Sequence, residues 1–470
     1  MGESWGIGVS GSRLDFELGH EVGLGAVTAH GGVPALIEHF RSSGAASAVD
    51  GSVPYKRRKR GLSASEMCES LLALWACGGE PCEDLDRLRG DDGLGLLLGH
   101  GLPAAQTARD FLATFEEPDL PLLGGGRSAV REEGVGLRAL SRASAAVVAD
   151  LQARAPQRVA TIDLDATILA SSKRAARPCY DGRRGYQPVI ALWAEQDAIV
   201  ADEFRDGNVS AQSGNRRVIE RALAALPEGV ERVFLRADSA LYDHSLMVYL
   251  DQRKVGFAIS VPVSPGLMRR MQGLDEAAWQ LEREDEGALR HWAVLDYLPD
   301  GAIDQPDGAV RRLRYIAIRI SRRQGSLFAD GEAVKHFCVV TNRDDPQGGD
   351  AGDLLRWHRG KAGTVEHAHD VLANELAAAA LPSQKFGANA AWFRLNVVLY
   401  NLVSAFKRLG LPEELHRIRP KRLRFLVLNT LARLICHARE RVLRFASGFA
   451  RTVLDRFRVR IHARPPPRVA

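Results

Sequence analysis

The 470-residue sequence lacks the features that mark membrane, secreted and zinc-binding proteins. It has no uninterrupted apolar run of about 18 residues, the length that a membrane-spanning helix needs. Its first residues do not combine a charged region with an apolar stretch, the pattern of a secretory signal. The six cysteines are scattered and form no pair of CxxC motifs, which argues against a zinc site and for buried, reduced thiols. We therefore expect a cytoplasmic protein without membrane contact.

Basic residues are concentrated in two places, although the net charge of the whole chain is only +5. Residues 403–470 contain 17 Lys or Arg and four acidic residues. A second cluster consists of Lys56, Arg57, Arg58, Lys59 and Arg60. Such blocks suit contact with the phosphates of DNA. A solvated tail, or arginine-rich helix faces packed against acidic neighbours, would give the same composition.

The first third of the chain is predicted to be irregular and then helical. Residues 1–60 are glycine-rich and indicate an arm. From residue 61 to 157 the apolar residues follow a helical period, which begins at a possible capping box formed by Ser63 and Glu66. With the basic cluster at its leading edge, this helical domain is a candidate for binding DNA ends.

At Arg158 the pattern changes to the alternation of strands. We predict strands at 159–169, 189–195, 198–204, 230–237 and 255–261, with helices at 215–226 and 245–253. This order is typical of a ribonuclease H-like core, an α/β fold in which a mixed sheet is flanked by helices. We assign residues 158–262 and 336–406 to that core, 263–335 to a β-rich insertion, and 407–470 to a basic helical C-terminal region.

Two acidic residues lie in the first predicted strand of this core. Asp163 and Asp165 are two residues apart and so point to the same face of the sheet. A carboxylate inside an apolar strand is costly unless it is paired or binds a metal ion. Asp165 is the preferred ligand because it opens an Asp-x-Thr step where the strand becomes polar. A surface pair on an edge strand is the alternative.

Two further acids occupy different local contexts. Asp238 ends the apolar strand 230–237 and begins a polar turn, so it is either a ligand at a strand end or the N-cap of the next helix. Glu366 is predicted on a helix, where it shares one face with His369 and Asp370. That face could supply a metal ligand, or it could be a solvated face paired with Arg359 or Lys361. Carboxylates brought together from such elements can hold two divalent cations about 4 Å apart and so drive attack on a phosphodiester.

Five segments of the sequence, in this order, resemble the DDE transposases of bacterial insertion sequences, closest to the group numbered 1380. The resemblance extends over most of residues 10–410. The segments are Thr161-Ile-Asp-Leu-Asp-Ala-Thr-Ile-Leu169, Phe204-Arg-Asp-Gly-Asn-Val209, Leu235-Arg-Ala-Asp-Ser239, Lys361-Ala-Gly-Thr-Val-Glu-His-Ala-His369 and Phe386-Gly-Ala-Asn-Ala-Ala-Trp-Phe393.

The resemblance implies a ribonuclease H-like catalytic domain with a β-strand insertion and two Mg²⁺ ions, for which Mn²⁺ can substitute. The metal ligands would be Asp165 (or Asp163), Asp238 and Glu366. The implied activity is binding of terminal inverted repeats, cleavage of the DNA and strand transfer. Implied partners are double-stranded DNA, as transposon ends and target, and at least one further copy of the chain in a synaptic complex at the nucleoid.

The sequence departs from this family around the third acid. Trp357 and Lys361 stand in for a Tyr and an Arg that related transposases carry before the Glu, with Ala362 at one corresponding spacing and Ala373 where a Lys is usual. We expect Arg359, Lys361 and His369 to contact DNA. Because Ala373 removes a phosphate contact, a catalytically decayed DNA-binding protein stays an alternative. The other alternative is a ribonuclease H-like nuclease without strand transfer.

Overall fold

The computed structural model describes residues 26–55, 61–125, 129–285, 287–299, 313–322, 333–343, 350–437 and 440–463. The basic cluster Lys56, Arg57, Arg58, Lys59 and Arg60 lies outside these residues. Helices of the described part are α1 (Val33–Ser42), α2 (Ala45–Asp50), α3 (Ala64–Cys77), α4 (Asp84–Leu88), α5 (Asp92–Leu98), α6 (Ala105–Ala113), α7 (Val135–Arg154), α8 (Asn215–Ala225), α9 (His244–Gln252), α10 (Pro265–Gln272), α11 (Ala351–Arg359), α12 (Val365–Asn374), α13 (Phe386–Gly410), α14 (Pro420–Leu423) and α15 (Gly448–His462).

Strands alternate with these helices from the middle of the chain onward. They are β1 (Val27–Thr28), β2 (Leu122–Leu123), β3 (Val130–Arg131), β4 (Val159–Ala166), β5 (Leu169–Ala170), β6 (Arg177–Pro178), β7 (Arg184–Tyr186), β8 (Val189–Trp193), β9 (Ala198–Glu203), β10 (Arg232–Ala237), β11 (Gly256–Ser260), β12 (Gln280–Asp285), β13 (Ala288–Leu295), β14 (Arg314–Arg322), β15 (Val334–Thr341), β16 (Ala432–His437) and β17 (Glu440–Phe445).

A large mixed sheet forms the centre of the molecule, with the strand order β12-β13-β14-β15-β11-β10-β4-β8-β9. The strands β4, β10 and β11 are parallel to one another, and β8 and β9 continue the sheet antiparallel on the other side of β4. Helices pack on both faces of this sheet, among them α8 and α13 at β9 and α9 and α11 at β11. The predicted α/β architecture, a mixed sheet flanked by helices, is thereby confirmed.

The burial of the strand β8 shows that both faces of the sheet are covered. All five of its residues are buried, and they are apolar throughout rather than alternating, as expected when both faces are covered. Ile190 and Leu192 belong to one hydrophobic core, which contains the N-terminal helices and α13. Val189, Ala191 and Trp193 belong to a second core on the other face, which includes side chains of α8, α9 and α10.

The segment predicted as a β-rich insertion does not form a sheet of its own in the described residues. Its strands β12, β13 and β14 are joined to the central sheet through β15, which pairs antiparallel with β11 at Ala258 and Thr341. The sequence pattern indicated that this segment is β-rich, but periodicity carries no information about which sheet a strand joins.

The helix α13 connects the helical part of the chain to the sheet. Almost every residue of it is buried, and it contacts α3, α6, α7, α15 and β9. Trp392 is fully buried, with its ring 4.6 Å from that of Trp75. The predicted capping box also forms, since Ser63 and Glu66 bond each other's backbone N–H at the start of α3. Among the described residues, no helix is both long enough and apolar enough to cross a membrane.

The C-terminal region contains a hairpin as well as the predicted helix. The strands β16 and β17 pair with each other, and β16 also pairs with β1 near the other end of the described chain. Arg433 and Arg444 face each other across the hairpin and are exposed, whereas Leu434 is buried. The abundance of arginine hid this alternation in the sequence. The region 407–470 is therefore not purely helical.

Candidate active site

Asp165 and Asp238 lie at one edge of the sheet, on neighbouring parallel strands. The register between β4 and β10 pairs Arg236 with Asp163 and Ala237 with Leu164. The next step along both strands places Asp238 beside Asp165. Because the strands are parallel, their carboxyl ends meet at the same edge, where ligands of open α/β sheets bind.

Asp163 is held in an ion pair and is completely buried. Nε of Arg236 donates to its Oδ1 and Nη2 to its Oδ2, both at 2.6 Å. The hydroxyl of Thr364 also donates to Oδ2. Each oxygen of Asp163 is thus engaged by the protein, whereas the side chain of Asp165 keeps 18% of its surface exposed.

Asp165 contacts the segment that leads into α12. The ammonium group of Lys361 lies 3.5 Å from its Oδ1, and Nε2 of His369 lies 3.3 Å from its backbone carbonyl oxygen. Burial, aided by the positive charge of Lys361, lowers the pKa of His369 to about 4. The imidazole is therefore neutral at neutral pH, and its Nε2–H can donate to that carbonyl.

Asp238 caps the short 3₁₀-helix Ser239–Leu241 that follows β10. Its side chain accepts a hydrogen bond from the backbone N–H of Ala240 at 3.0 Å. The capping role that the sequence allowed is therefore present. The residue is nevertheless exposed at the edge of the sheet, so capping does not remove it from solvent or from a ligand.

Glu366 is exposed in the first turn of α12. It lies one turn before His369, which contacts Asp165, so the helix brings it to the edge of the sheet that carries the two aspartates. In the part of the chain that the structure describes, no three His, Cys, Asp or Glu side chains are close enough together to hold a metal ion. Glu366 therefore does not share a preformed ligand set with Asp165 and Asp238.

Three residues beside Glu366 that were predicted to contact DNA have partners within the protein. Arg359 donates to Glu282 of β12, with Nη1 at 2.9 Å from Oε2. Lys361 lies beside the carboxylate of Asp165, and His369 beside its carbonyl group. Contact of these three residues with DNA stays a prediction.

Three neighbours of the site were missed in the sequence, namely Arg236, His358 and Thr364. Nε2 of His358 lies 3.1 Å from the carbonyl oxygen of Ala237, and Nη1 of Arg236 donates to the carbonyl of Trp357 at 2.6 Å. Together these contacts fix α11 against the end of β10. The available sequence signal was Arg236 itself, which lies inside the apolar strand β10. A buried guanidinium needs a carboxylate partner, so its position indicated a buried ion pair.

The comparison with known families agrees with these observations. The family described as Transposase DDE domain group 1 matches residues 21–462. The chain belongs to this family of DDE transposases.

One solved structure similar to this chain is the cryo-EM structure of the piggyBac transposase synaptic complex with hairpin DNA. The two chains share 9% sequence identity with a TM-score of 0.46, and the match covers 93% of this chain and 83% of that chain. No curated protein matches the sequence.

Proposed function

We propose that this chain is a transposase that binds the terminal inverted repeats of a bacterial insertion sequence, of the group numbered 1380, and catalyses metal-dependent DNA cleavage and strand transfer. One observation carries the proposal. The register of β4 and β10 brings Asp165 and Asp238 to one sheet edge, and the helix that carries Glu366 is bonded to the same edge.

The strand order supports a ribonuclease H-like catalytic core. Numbering the five strands β4, β8, β9, β10 and β11 in chain order, their order in the sheet is third, second, first, fourth and fifth. The second strand is the antiparallel one beside the first, and the fourth and fifth are parallel to the first. This order and these strand directions support our proposal of a ribonuclease H-like sheet.

The catalytic residues in this proposal are Asp165, Asp238 and Glu366. Carboxylate oxygens are the ligands that Mg²⁺ prefers, and Mn²⁺ binds the same donors. When bound, two such ions would activate water and then a DNA 3′-hydroxyl, and stabilise the leaving oxygen. Asp163 is the weaker candidate for this role because Arg236 and Thr364 occupy its oxygens.

Lys361 and Glu366 must rearrange for this ligand set to form. The ammonium group of Lys361 now neutralises Asp165, and Glu366 points into solvent. We propose that Lys361 leaves Asp165 for a DNA phosphate and that Glu366 turns toward the two aspartates when DNA and metal ions bind. The short 3₁₀ segment Gly360–Gly363, which carries Lys361, permits such a movement without unfolding α12.

The partners follow from the reaction. Two transposon ends must be handled together, so at least two copies of the chain would assemble with the ends and then with target DNA, in the cytoplasm at the nucleoid.

A plasmid assay tests the function. A supercoiled plasmid that carries the DNA flanking this gene as transposon ends is incubated with the protein and Mg²⁺. Excised or inserted DNA supports transposition, and nicking without joining supports a ribonuclease H-like nuclease. A gel shift of intact DNA, with no cleavage under Mg²⁺ or Mn²⁺, would instead support a decayed DNA-binding protein and defeat the proposal.

A further inference from the structure

A small projecting sheet connects β4 to β8, next to the proposed catalytic residues. It consists of β5, β7 and β6 in that order, and we call residues 169–186 the flap. The flap begins four residues after Asp165, a distance that an extended chain covers in about 14 Å at most. It then leads directly into β8, where Val189 pairs with Ala166. The flap therefore rises from the sheet edge that carries Asp165.

The base of the flap is fixed to the body of the protein. Tyr186 is buried, stacks on Phe204 with a ring separation of 4.9 Å, and accepts a hydrogen bond from the amide of Asn389 in α13 at 3.2 Å. Gly185 is packed so closely that a Cβ atom would lie 2.2 Å from the carbonyl oxygen of Leu169. The outer residues of the flap are thus presented from a rigid support.

The flap is strongly basic. Residues 171–186 contain five Lys or Arg and a single acid, Asp181. Arg183 pairs with Asp181, and Arg184 donates to two carbonyl groups within the flap. Among the described residues, no carboxylate forms an ion pair with the remaining three, which are Lys173, Arg174 and Arg177.

Some of these basic residues line an open cleft beside the flap. Arg174 and Arg177 line it together with Arg131. Its two acidic residues are already engaged: Asp206 accepts from Arg131 at 3.3 Å, and Glu116 accepts from the backbone N–H of Gly387 at 2.5 Å. Arg174 and Arg177 are both exposed. With three arginines against two carboxylates in its lining, the cleft keeps a net charge of +1 and offers both guanidinium groups to an anionic ligand.

Tyr180 stands at the turn between β6 and β7, and 82% of its surface is exposed. Gly182, with φ of 84°, closes this turn. The flap thus carries exposed guanidinium groups and an exposed aromatic ring on one small sheet. Proteins bind single-stranded nucleic acid with this combination, since the ring stacks on a base and the cations bind phosphates. A ring can stack in this way only on a base that is not enclosed within a duplex.

We propose that the flap binds an unpaired DNA strand at the end being processed, with Arg174 and Arg177 on its phosphates and Tyr180 stacked on a base. This inference rests on the proposed function, because it takes the occupant to be the DNA on which Asp165 and Asp238 act. It adds a contact that neither the family nor the acidic residues identify, and it assigns the flap to the strand rather than to the duplex.

Binding experiments without cleavage test the flap separately from the chemistry. Fluorescence anisotropy, with no divalent metal present, compares a labelled blunt duplex with the same duplex carrying an oligothymidine overhang. Variants are Tyr180→Ala, Tyr180→Phe and the double variant Arg174→Ala/Arg177→Ala. Arg158→Ala is the matched control, because Arg158 is an exposed arginine that precedes the same strand β4 at its opposite end. Thermal melting checks that each variant is folded.

We expect the parent to prefer the overhang, and Tyr180→Ala to remove this preference with a loss of about tenfold in affinity, while Tyr180→Phe retains it. The double arginine variant should weaken binding to both DNAs and reduce the slope of log affinity against log salt by about 1 to 2. Flap variants that bind both DNAs as the parent does would overturn the inference alone. A parent that binds no DNA would overturn both this inference and the proposed function.

Discussion

Arg236 and Asp163 form a buried ion pair with two hydrogen bonds of 2.6 Å between neighbouring parallel strands. The same guanidinium donates to the carbonyl of Trp357, and the same carboxylate accepts from Thr364. One ion pair therefore joins the strands that position Asp165 and Asp238 to the segment that precedes Glu366. This ion pair thereby supports the candidate site, because it holds these strands and that segment together.

Removal of one partner of this pair should destabilise the fold severely. Arg236→Met leaves the Asp163 carboxylate buried without its cation, which costs about 3–5 kcal/mol, whereas Asp163→Leu/Arg236→Met together should cost less than the sum of the single changes. Urea denaturation followed by circular dichroism measures these free energies. Arg158→Ala is the control, since its pair with Glu231 is exposed and is worth about 1 kcal/mol or less. An Arg236→Met protein as stable as the Arg158→Ala protein would contradict the prediction.

Asp238→Asn should abolish DNA cleavage and leave folding intact. Asparagine caps a helix about as well as aspartate, so the 3₁₀-helix after β10 keeps its cap while the anionic ligand is lost. We expect a fall in the cleavage rate of more than about 100-fold, because loss of even an outer partner of a metal ligand costs 10–100-fold. The matched control is Asp243→Asn, since Asp243 caps α9 in the same manner at Leu246. Equal cleavage by the two variants would remove Asp238 from the active site.

Lys361→Met should strengthen metal binding and weaken DNA binding. The ammonium group 3.5 Å from Asp165 competes with a cation for the same oxygen, and methionine occupies a similar volume without charge. Titration of Mn²⁺ by electron paramagnetic resonance should show tighter binding by up to about tenfold, equivalent to about 1.4 kcal/mol. DNA affinity, measured by anisotropy, should decrease because one phosphate contact is lost. Unchanged Mn²⁺ affinity would show that Lys361 does not compete with a metal ion for Asp165.

The stability of the protein should depend on His358 in mildly acidic solution. Burial, together with the charges of Lys361, Arg236 and Arg359, lowers the pKa of His358 to about 4 from its usual value of 6.5. Between these pH values the unfolded chain binds a proton that the folded chain does not, so stability falls as the pH decreases from about 6.5 to about 4.

His358→Gln should remove this contribution while keeping an N–H donor for the carbonyl of Ala237. The parent should lose roughly 2 kcal/mol more than the variant over that pH range, below the full value of about 3 kcal/mol because the residue keeps some contact with water. Urea denaturation at a series of pH values measures the difference. Carboxylates such as Glu133, whose pKa is lowered by Arg394 and Arg221 despite its burial, titrate in both proteins and cancel in the comparison. Parallel stability curves for the two proteins would refute the role of His358.

The local elements of the fold could be predicted from the sequence, but their long-range pairing could not. Strand-like apolar segments identified β4, β8 and β10, and the capping box identified the start of α3. Nothing local showed that β15 would pair with β11, or that β16 would pair with β1. Such pairings depend on backbone groups far apart in the chain, which leave no periodic signal.

The site was predictable to a similar extent. Residue type and strand position selected Asp163, Asp165 and Asp238 as candidates and favoured Asp165, but they left Asp163 open because both point to one face of β4. The discriminating contact comes from Arg236, a residue of another strand. Likewise the sequence placed Glu366 on a helix but could not reveal that Thr364, Lys361 and His369 bond that segment to β4.

The pairing of Val27 with Arg433 has a consequence for the order in which the protein is synthesised and folds. The strand β1 must wait for a partner that is synthesised about 400 residues later. Until then the strand β1 lacks the partner strand β16, and closure of so long a loop is slow. Synthesis and assembly are thereby ordered in time, so that the basic hairpin β16–β17 is completed against β1 only after the candidate catalytic acids Asp165, Asp238 and Glu366 have been made.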